Sequence, residues 1–254
     1  EYDLVPVYKE ILADTETPVS VLQRFADREN AFLLESMEGG ETWGRYSFVG
    51  VDPEVLFEVD HAGDPSGGLE QLRETFKDIR VPDVPGLPRF FGGAVGFVGY
   101  EAIGEFERMP PPKPGRGEVV ARSRFLKADQ LILFDRVRHT MKIVCCARPG
   151  TRGHGTDGVE TARRVYAATA ARIEDIARML AWPPGGPPGG RYPVIPFEAN
   201  MTRDDFERIV ARAKEYIVAG DIIQVVLSQR FEARSDVPPL QVYRALRLLN
   251  PSPY

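Results

Sequence analysis

The stretch RFLKADQLILFDRVRHTMKIVCC, residues 124–146, decides the fold class. Residues 124–134 and 140–146 alternate well enough for two strands, and Asp135-Arg136-Val137-Arg138-His139 between them reads as a hairpin turn. Toward the N-terminus come further short strand-like runs at 31–36, 45–49 and 54–59, separated by the turn compositions Glu38-Gly39-Gly40-Glu41 and Val51-Asp52-Pro53. Residues 89–100 carry Gly92, Gly93, Gly96 and Gly99 among Phe and Val. That spacing is wrong for a dinucleotide fingerprint and predicts a strand or turn where backbones pack closely. Because the strands fall in hairpin-like groups and not in a regular βαβ alternation, the expected class is α+β.

Helices are expected between and after these strands. Thr17-Pro18 is a start signal for a helix over 19–28, and 67–80 reads as a second. Val159, Ala162, Tyr166, Thr169, Ile173, Ile176 and Leu180 recur three and four apart, the stripe of a packing face. Pro183-Pro184-Gly185-Gly186-Pro187-Pro188-Gly189-Gly190 cannot sit inside a helix or a central strand. It marks the best boundary, giving a region 1–182, a linker 183–192 and a region 193–254. In the last region Thr202 and Asp205 open a helix with apolar positions Phe206, Ile209, Val210, Ala213 and Ile217, and Gly220 stops it. A strand is expected over 222–231, then a helix over 240–249 ended by Asn250-Pro251.

Composition narrows the function. Of 254 residues, 32 are Lys or Arg and 37 are Asp or Glu, a net charge of −5, which argues against a nucleic-acid partner. No apolar run is long enough to span a bilayer, so no membrane role is expected. Cys145 and Cys146 are adjacent and read as small core or boundary residues, not as a disulfide or a zinc site. The chain opens at Glu1 without a signal-peptide pattern, and a cytoplasmic location is expected. Its ending, Asn250-Pro251-Ser252-Pro253-Tyr254, reads as a cut through a longer chain.

No catalytic set is legible. His61, His139 and His154 fall in turns or loops, and no nucleophile elbow, zinc-protease or P-loop motif occurs. The polar residues that stand out are Glu35 and Ser36 at the end of an apolar run, Gln224 and Arg230 on one face of the 222–231 segment, and the prolines and phenol of the ending. From the residues alone, the plainer reading of each is a cap or turn role, with a part in a site as the alternative.

The blocks Leu33-Leu34-Glu35-Ser36, Gly44-Arg45-Tyr46-Ser47-Phe48-Val49-Gly50 and Gly93-Ala94-Val95-Gly96-Phe97-Val98-Gly99-Tyr100-Glu101 resemble the N-terminal half of the anthranilate synthase component I family. Residues 220–231, GDIIQVVLSQRF, and the ending Asn250-Pro251-Ser252-Pro253-Tyr254 resemble that family's next blocks in order. The resemblance implies a two-layer α/β fold with large, mostly antiparallel sheets, here truncated. It makes 1–182 the regulatory half and 193–254 the incomplete start of a chorismate-binding domain.

It also implies a chorismate-using lyase of tryptophan biosynthesis, which joins chorismate and ammonia to give anthranilate and pyruvate. Ammonia would come from a glutamine amidotransferase subunit in a heterotetramer, and Mg²⁺ would hold the substrate carboxylate. The family is about twice as long, and its metal-ligand and main catalytic blocks have no counterpart in this chain. Two implied sites remain. Glu35, Ser36, Pro253 and Tyr254 would form a feedback site for L-tryptophan. Gln224 would line the active site, where water-adding relatives carry a lysine; a glutamine cannot titrate, which favours the amine-adding branch. The alternatives are aminodeoxychorismate synthase component I, a folate-branch relative, and a non-catalytic tryptophan-binding module.

Overall fold

The structure is a computed structural model that describes residues 2–36, 44–59, 68–108, 121–150, 156–182 and 192–250. The chain divides into two units, Glu1–Gly185 with Leu249–Tyr254, and Gly186–Leu248.

The first unit is built on an antiparallel five-stranded sheet. Its strands are β1 (Val5–Leu12), β2 (Phe32–Glu35), β3 (Tyr46–Gly50), β7 (Gln130–Asp135) and β8 (Thr140–Ala147), in the order β1-β8-β7-β3-β2. A second antiparallel sheet orders β4 (Glu54–Val59), β6 (Ser123–Lys127) and β5 (Ala94–Val98) as β4-β6-β5. Helices α1 (Pro18–Gln23), α2 (Gly68–Phe76) and α3 (Thr156–Ala181) and a 3-10 helix (Tyr100–Glu105) complete the unit.

The apolar alternation along the five-stranded sheet splits its side chains between two cores. On one face Val49, Ile132 and Ile143 pack with Val21 and Phe25 and with Ile173, Ile176 and Leu180 of α3. On the other, Phe48, Leu131, Leu133 and Val144 pack with Phe90, Phe91 and Val95. The rings of Phe48 and Phe90 meet edge-on at 5.3 Å, a favoured aromatic geometry.

The α+β class, the 135–139 hairpin and the strands near 31–36, 45–49 and 54–59 are present as expected. The run 124–134 is not one strand. It breaks at Ala128 and Asp129 into β6 and β7, which lie in different sheets. The Ala128 N–H donates to the Gly93 carbonyl at 2.9 Å, and the Asp129 carboxylate takes Lys127 and Arg148, so the break is held from both sides. The first helix is also shorter than expected. Thr17 and Ser20 form a capping box, but from Arg24 onward the backbone closes i to i+3 bonds, such as Phe25 N to Leu22 O and Arg28 N to Phe25 O, and the helix ends in tight turns.

Only the C-terminal part of the long stripe on α3 packs. Ile173, Ile176 and Leu180 are buried, whereas Val159 and Tyr166 are 55% and 59% exposed. The Pro/Gly linker at 183–190 lies outside the described residues, as do His61 and His154.

The second unit holds the two-stranded pair β9 (Glu198–Ala199) and β10 (Phe231–Glu232), α4 (Arg203–Ala219) and most of α5 (Pro239–Leu249). Thr202 caps α4 by accepting from Asp205 N, and Gly220, at φ +83°, stops it in the left-handed region that glycine tolerates. The strand expected over 222–231 is absent except for Phe231. A strand exists only where a neighbour takes its backbone bonds, and Glu198–Ala199 offers two residues of ladder. Neither α4 nor α5 buries a residue.

Candidate functional site

The candidate site is the end of β2. Glu35 and Ser36 are 5% and 0% exposed. Leu33 packs on the α3 side of the sheet and Leu34 on the other. The same alternation puts Glu35 with the α3 side and sends the Ser36 side chain to the opposite face. The two side chains therefore do not line one pocket together. On the Glu35 side the directly opposed Ser47 has a buried hydroxyl to which no described residue gives or takes a hydrogen bond.

The Ser36 end is fixed by the β7–β8 hairpin. Asp135, the last residue of β7, is 4% exposed and opposes Tyr46 across the sheet. Arg45 donates to both Asp135 oxygens, Nε at 3.0 Å and Nη2 at 2.6 Å, and its guanidinium lies over the Tyr46 ring at 5.0 Å. Asp135 Oδ1 also accepts from the backbone N–H groups of Val137 (3.1 Å) and Arg138 (3.2 Å), which shapes the turn. His139, at φ +52°, closes it. The Arg136 N–H donates to the Arg45 carbonyl at 3.0 Å, and Arg136 Nη1 donates to the Ser36 carbonyl at 2.6 Å. Burial alone would push the Asp135 carboxyl up; the Arg45 guanidinium and the N–H groups of Arg138 and Val137 outweigh it and hold the group below its ordinary value.

One strand beyond Asp135 on the same face, in β8, Lys142 is buried with its Nζ 2.8 Å from Glu10 Oε1, and Thr140 donates to the same oxygen at 2.8 Å. The bonds from Lys142 and then Thr140 hold the Glu10 carboxyl below its ordinary value despite some desolvation. The face bearing Ser36 thus carries aliphatic and aromatic side chains in its middle and hydroxyl, carboxylate and cationic groups at its end. The apolar middle is covered by Phe90, Phe91 and Val95, and the polar groups lie at its end.

Gln224 is exposed, in the second unit, on backbone without regular structure. Arg230, its expected face-mate, is exposed and pairs with Glu232. Pro253 and Tyr254 lie outside the described residues. Two cavities of the first unit, of about 350 and 680 Å³, are lined by groups such as Asp52, Lys127 and Arg172, and Arg24, Arg28 and Trp182. Neither includes Ser36. Among the described residues no three His, Cys, Asp or Glu side chains converge as a metal ion needs, and no helix is long and apolar enough to cross a membrane. Asp135 and Arg136 were not singled out from the sequence. The available signal was an aspartate at the first position of a hairpin turn, a residue type that bonds the backbone two residues on.

Sequence and structural comparisons define the class. The chain belongs to the family of chorismate binding enzymes, whose model matches residues 29–254. Its relatives within that family include anthranilate synthases. Anthranilate synthase component 1 of Pseudomonas aeruginosa is 34% identical over 281 residues, covering all of this chain and 53% of its own length. The protein of that name from Streptomyces coelicolor is 37% identical over 270 residues, covering all of this chain and 48% of its own. The crystal structure of anthranilate synthase component I from Streptococcus pneumoniae TIGR4 superposes with a TM-score of 0.62 at 25% identity, covering 96% of this chain and 53% of that one. The chain spans about half the length of the curated relatives it matches.

Proposed function

We propose that this chain is part of an enzyme that converts chorismate and ammonia into anthranilate and pyruvate, a lyase reaction of tryptophan biosynthesis in the cytoplasm. The observation that carries the reading is the match along the whole chain to proteins named anthranilate synthase component 1. The same match favours this branch over the folate-branch relative. Ammonia is supplied from glutamine by a partner amidotransferase subunit. Gln224 serves such a reaction by orienting a neutral nucleophile, since its amide donates and accepts hydrogen bonds without titrating. The Mg²⁺ of the reaction is held by carboxylates in polypeptide outside these 254 residues.

In this reading residues 1–182 are the regulatory region and 193–254 begin the catalytic one, and the 254 residues alone turn over no chorismate. Anthranilate fluorescence with chorismate, ammonia and Mg²⁺ tests both parts. The chain alone should give no signal; the chain with the polypeptide matching the rest of its relatives should give one. Turnover by the chain alone overturns the inactivity, and no anthranilate from the combined protein overturns the reaction.

The Ser36 end of β2 is the feedback site, and its ligand is L-tryptophan. Support comes from a fully buried hydroxyl beside an apolar sheet face that ends in charged groups. Titration calorimetry should show binding that Ser36→Ala weakens with the fold intact; unchanged affinity counts against it.

A further inference from the structure

We infer that Arg136 is a positioning residue for the Ser36 site, and that Asp135 aims it. The inference rests on the amino-acid reading of that site and adds the device that sets its affinity. The β2–β3 ladder runs from Phe32↔Gly50 to Glu35↔Ser47, and Ser36 follows it as an isolated bridge. The Ser36 carbonyl also accepts from the Arg136 guanidinium, from a hairpin 100 residues away in sequence, at 2.6 Å. A charged donor at that distance makes one of the stronger hydrogen bonds in proteins.

Arg136 is itself fixed. Its N–H is tied to the Arg45 carbonyl, and the turn that carries it is shaped by the Val137 and Arg138 N–H groups on Asp135. Asp135 in turn grips the Arg45 side chain, so one carboxylate locks the residues on both sides of Ser36's tether. The peptide of the residue that meets the ligand is thereby placed before binding, and no ordering cost remains to be met at that moment. Loosening the tether leaves the Ser36 hydroxyl present but misplaced.

The test is L-tryptophan calorimetry on the 254-residue chain and its variants, with circular dichroism and thermal melting as fold controls. The wild-type chain should bind. Arg136→Gln should weaken binding about tenfold or more. Arg136→Lys, which keeps the charge and a donor, should restore a large part of it. Arg136→Gln added to Ser36→Ala should cost little more than Ser36→Ala alone, because both act on one contact. If Arg136→Gln does not fold, the Arg136→Lys affinity and its coupling to Ser36→Ala carry the test. A wild-type chain that does not bind overturns the amino-acid reading and this inference with it. Binding by the wild type that Arg136→Gln leaves unchanged overturns the inference alone. A loss that Arg136→Lys does not restore and that adds in full to Ser36→Ala marks a structural effect and also overturns it.

Discussion

Arg45, the residue before β3, reaches Asp135 at the end of β7, and its guanidinium spans both carboxylate oxygens although 90 residues separate the pair in sequence. The carboxylate is nearly dry, and the guanidinium side chain is 31% exposed. A planar fork on a carboxylate fixes orientation as well as distance, which a lysine at position 45 would not do.

Asp135→Ala should therefore destabilise the protein by about 1–3 kcal/mol, because four hydrogen bonds are lost while the freed arginine can turn toward water. The pH dependence follows from the direction of the Asp135 shift. Its folded value lies below its ordinary value of 3.8, so its contribution is fully present above about pH 5 and is lost as pH falls through the folded value. Urea midpoints at pH 7 and pH 3 check both points. The variant should lose less stability on acidification than the wild type, and equal losses would remove Asp135 from the account.

Glu105 and Arg122 form a drier pair, with side chains 6% and 7% exposed and 3.3 Å between Oε1 and Nη2. Glu105 Oε2 also accepts the Leu69 N–H in the first turn of α2, at 3.3 Å. Glu105→Gln should cost about 3 kcal/mol, since a buried guanidinium loses its carboxylate. The double variant Glu105→Leu with Arg122→Met should lie close to the wild type, because neither desolvated charge remains. Chemical denaturation of the three proteins decides it; a single variant as stable as the wild type would show the pair to be idle.

Much of this architecture is legible in the sequence where the determinant is local. The alternation of 130–134 against 140–146, the Thr202 cap and the Gly220 stop all act within a few residues, and each appears where expected. The break at Ala128 and Asp129 is not legible. An apolar run that passes from one sheet into another keeps its alternation, and the point of transfer is fixed by partners away from the run, the Gly93 carbonyl on Ala128 and the Cys146 N–H and Arg148 on Asp129. The segment 222–231 fails for the converse reason. Its pattern is strand-like, but Gln224 to Gln229 find no ladder partner among the described residues. At the site, Glu35 and Ser36 stand out as polar residues ending an apolar run, though only the family resemblance gives them a role, and Arg136 carries no signal of its own, because what matters is a contact closed across 100 residues.

Gly96 is needed for a packing reason that Gly93, at φ +129°, does not share. A Cβ at Gly96 would lie 2.1 Å from the Arg124 carbonyl oxygen and 2.8 Å from the Phe125 Cα, and backbone cannot swing aside as a side-chain tip can. Gly96→Ala should push β5 from β6 and cost about 3 kcal/mol or more. It should also disturb the Phe57–Phe125 ring contact, now 5.2 Å between centroids. Thermal melting and near-ultraviolet circular dichroism report the two effects. A variant that melts with the wild type would mean that the strands sit farther apart than described.

The adjacent cysteines should be chemically quiet in the folded chain. Burial pushes the Cys145 thiol up to about 11, a little offset by Arg172, and burial with the nearby Asp129 carboxylate pushes Cys146 up to about 12. At pH 8 about one molecule in a thousand or fewer would hold either as the nucleophilic thiolate. Cys146 is further occupied as a weak donor to the Phe91 carbonyl at 3.4 Å, and its sulfur fills the space that a side chain at Gly92 would take. An aromatic disulfide reagent at pH 8 should label the native protein at least a hundredfold more slowly than the chain in urea. Raising the pH toward 10 should speed native labelling in proportion to hydroxide, the signature of a thiolate-limited reaction. Rapid labelling of the native chain at pH 8 would show that at least one thiol lies in a wetter or more cationic setting than the sheet provides.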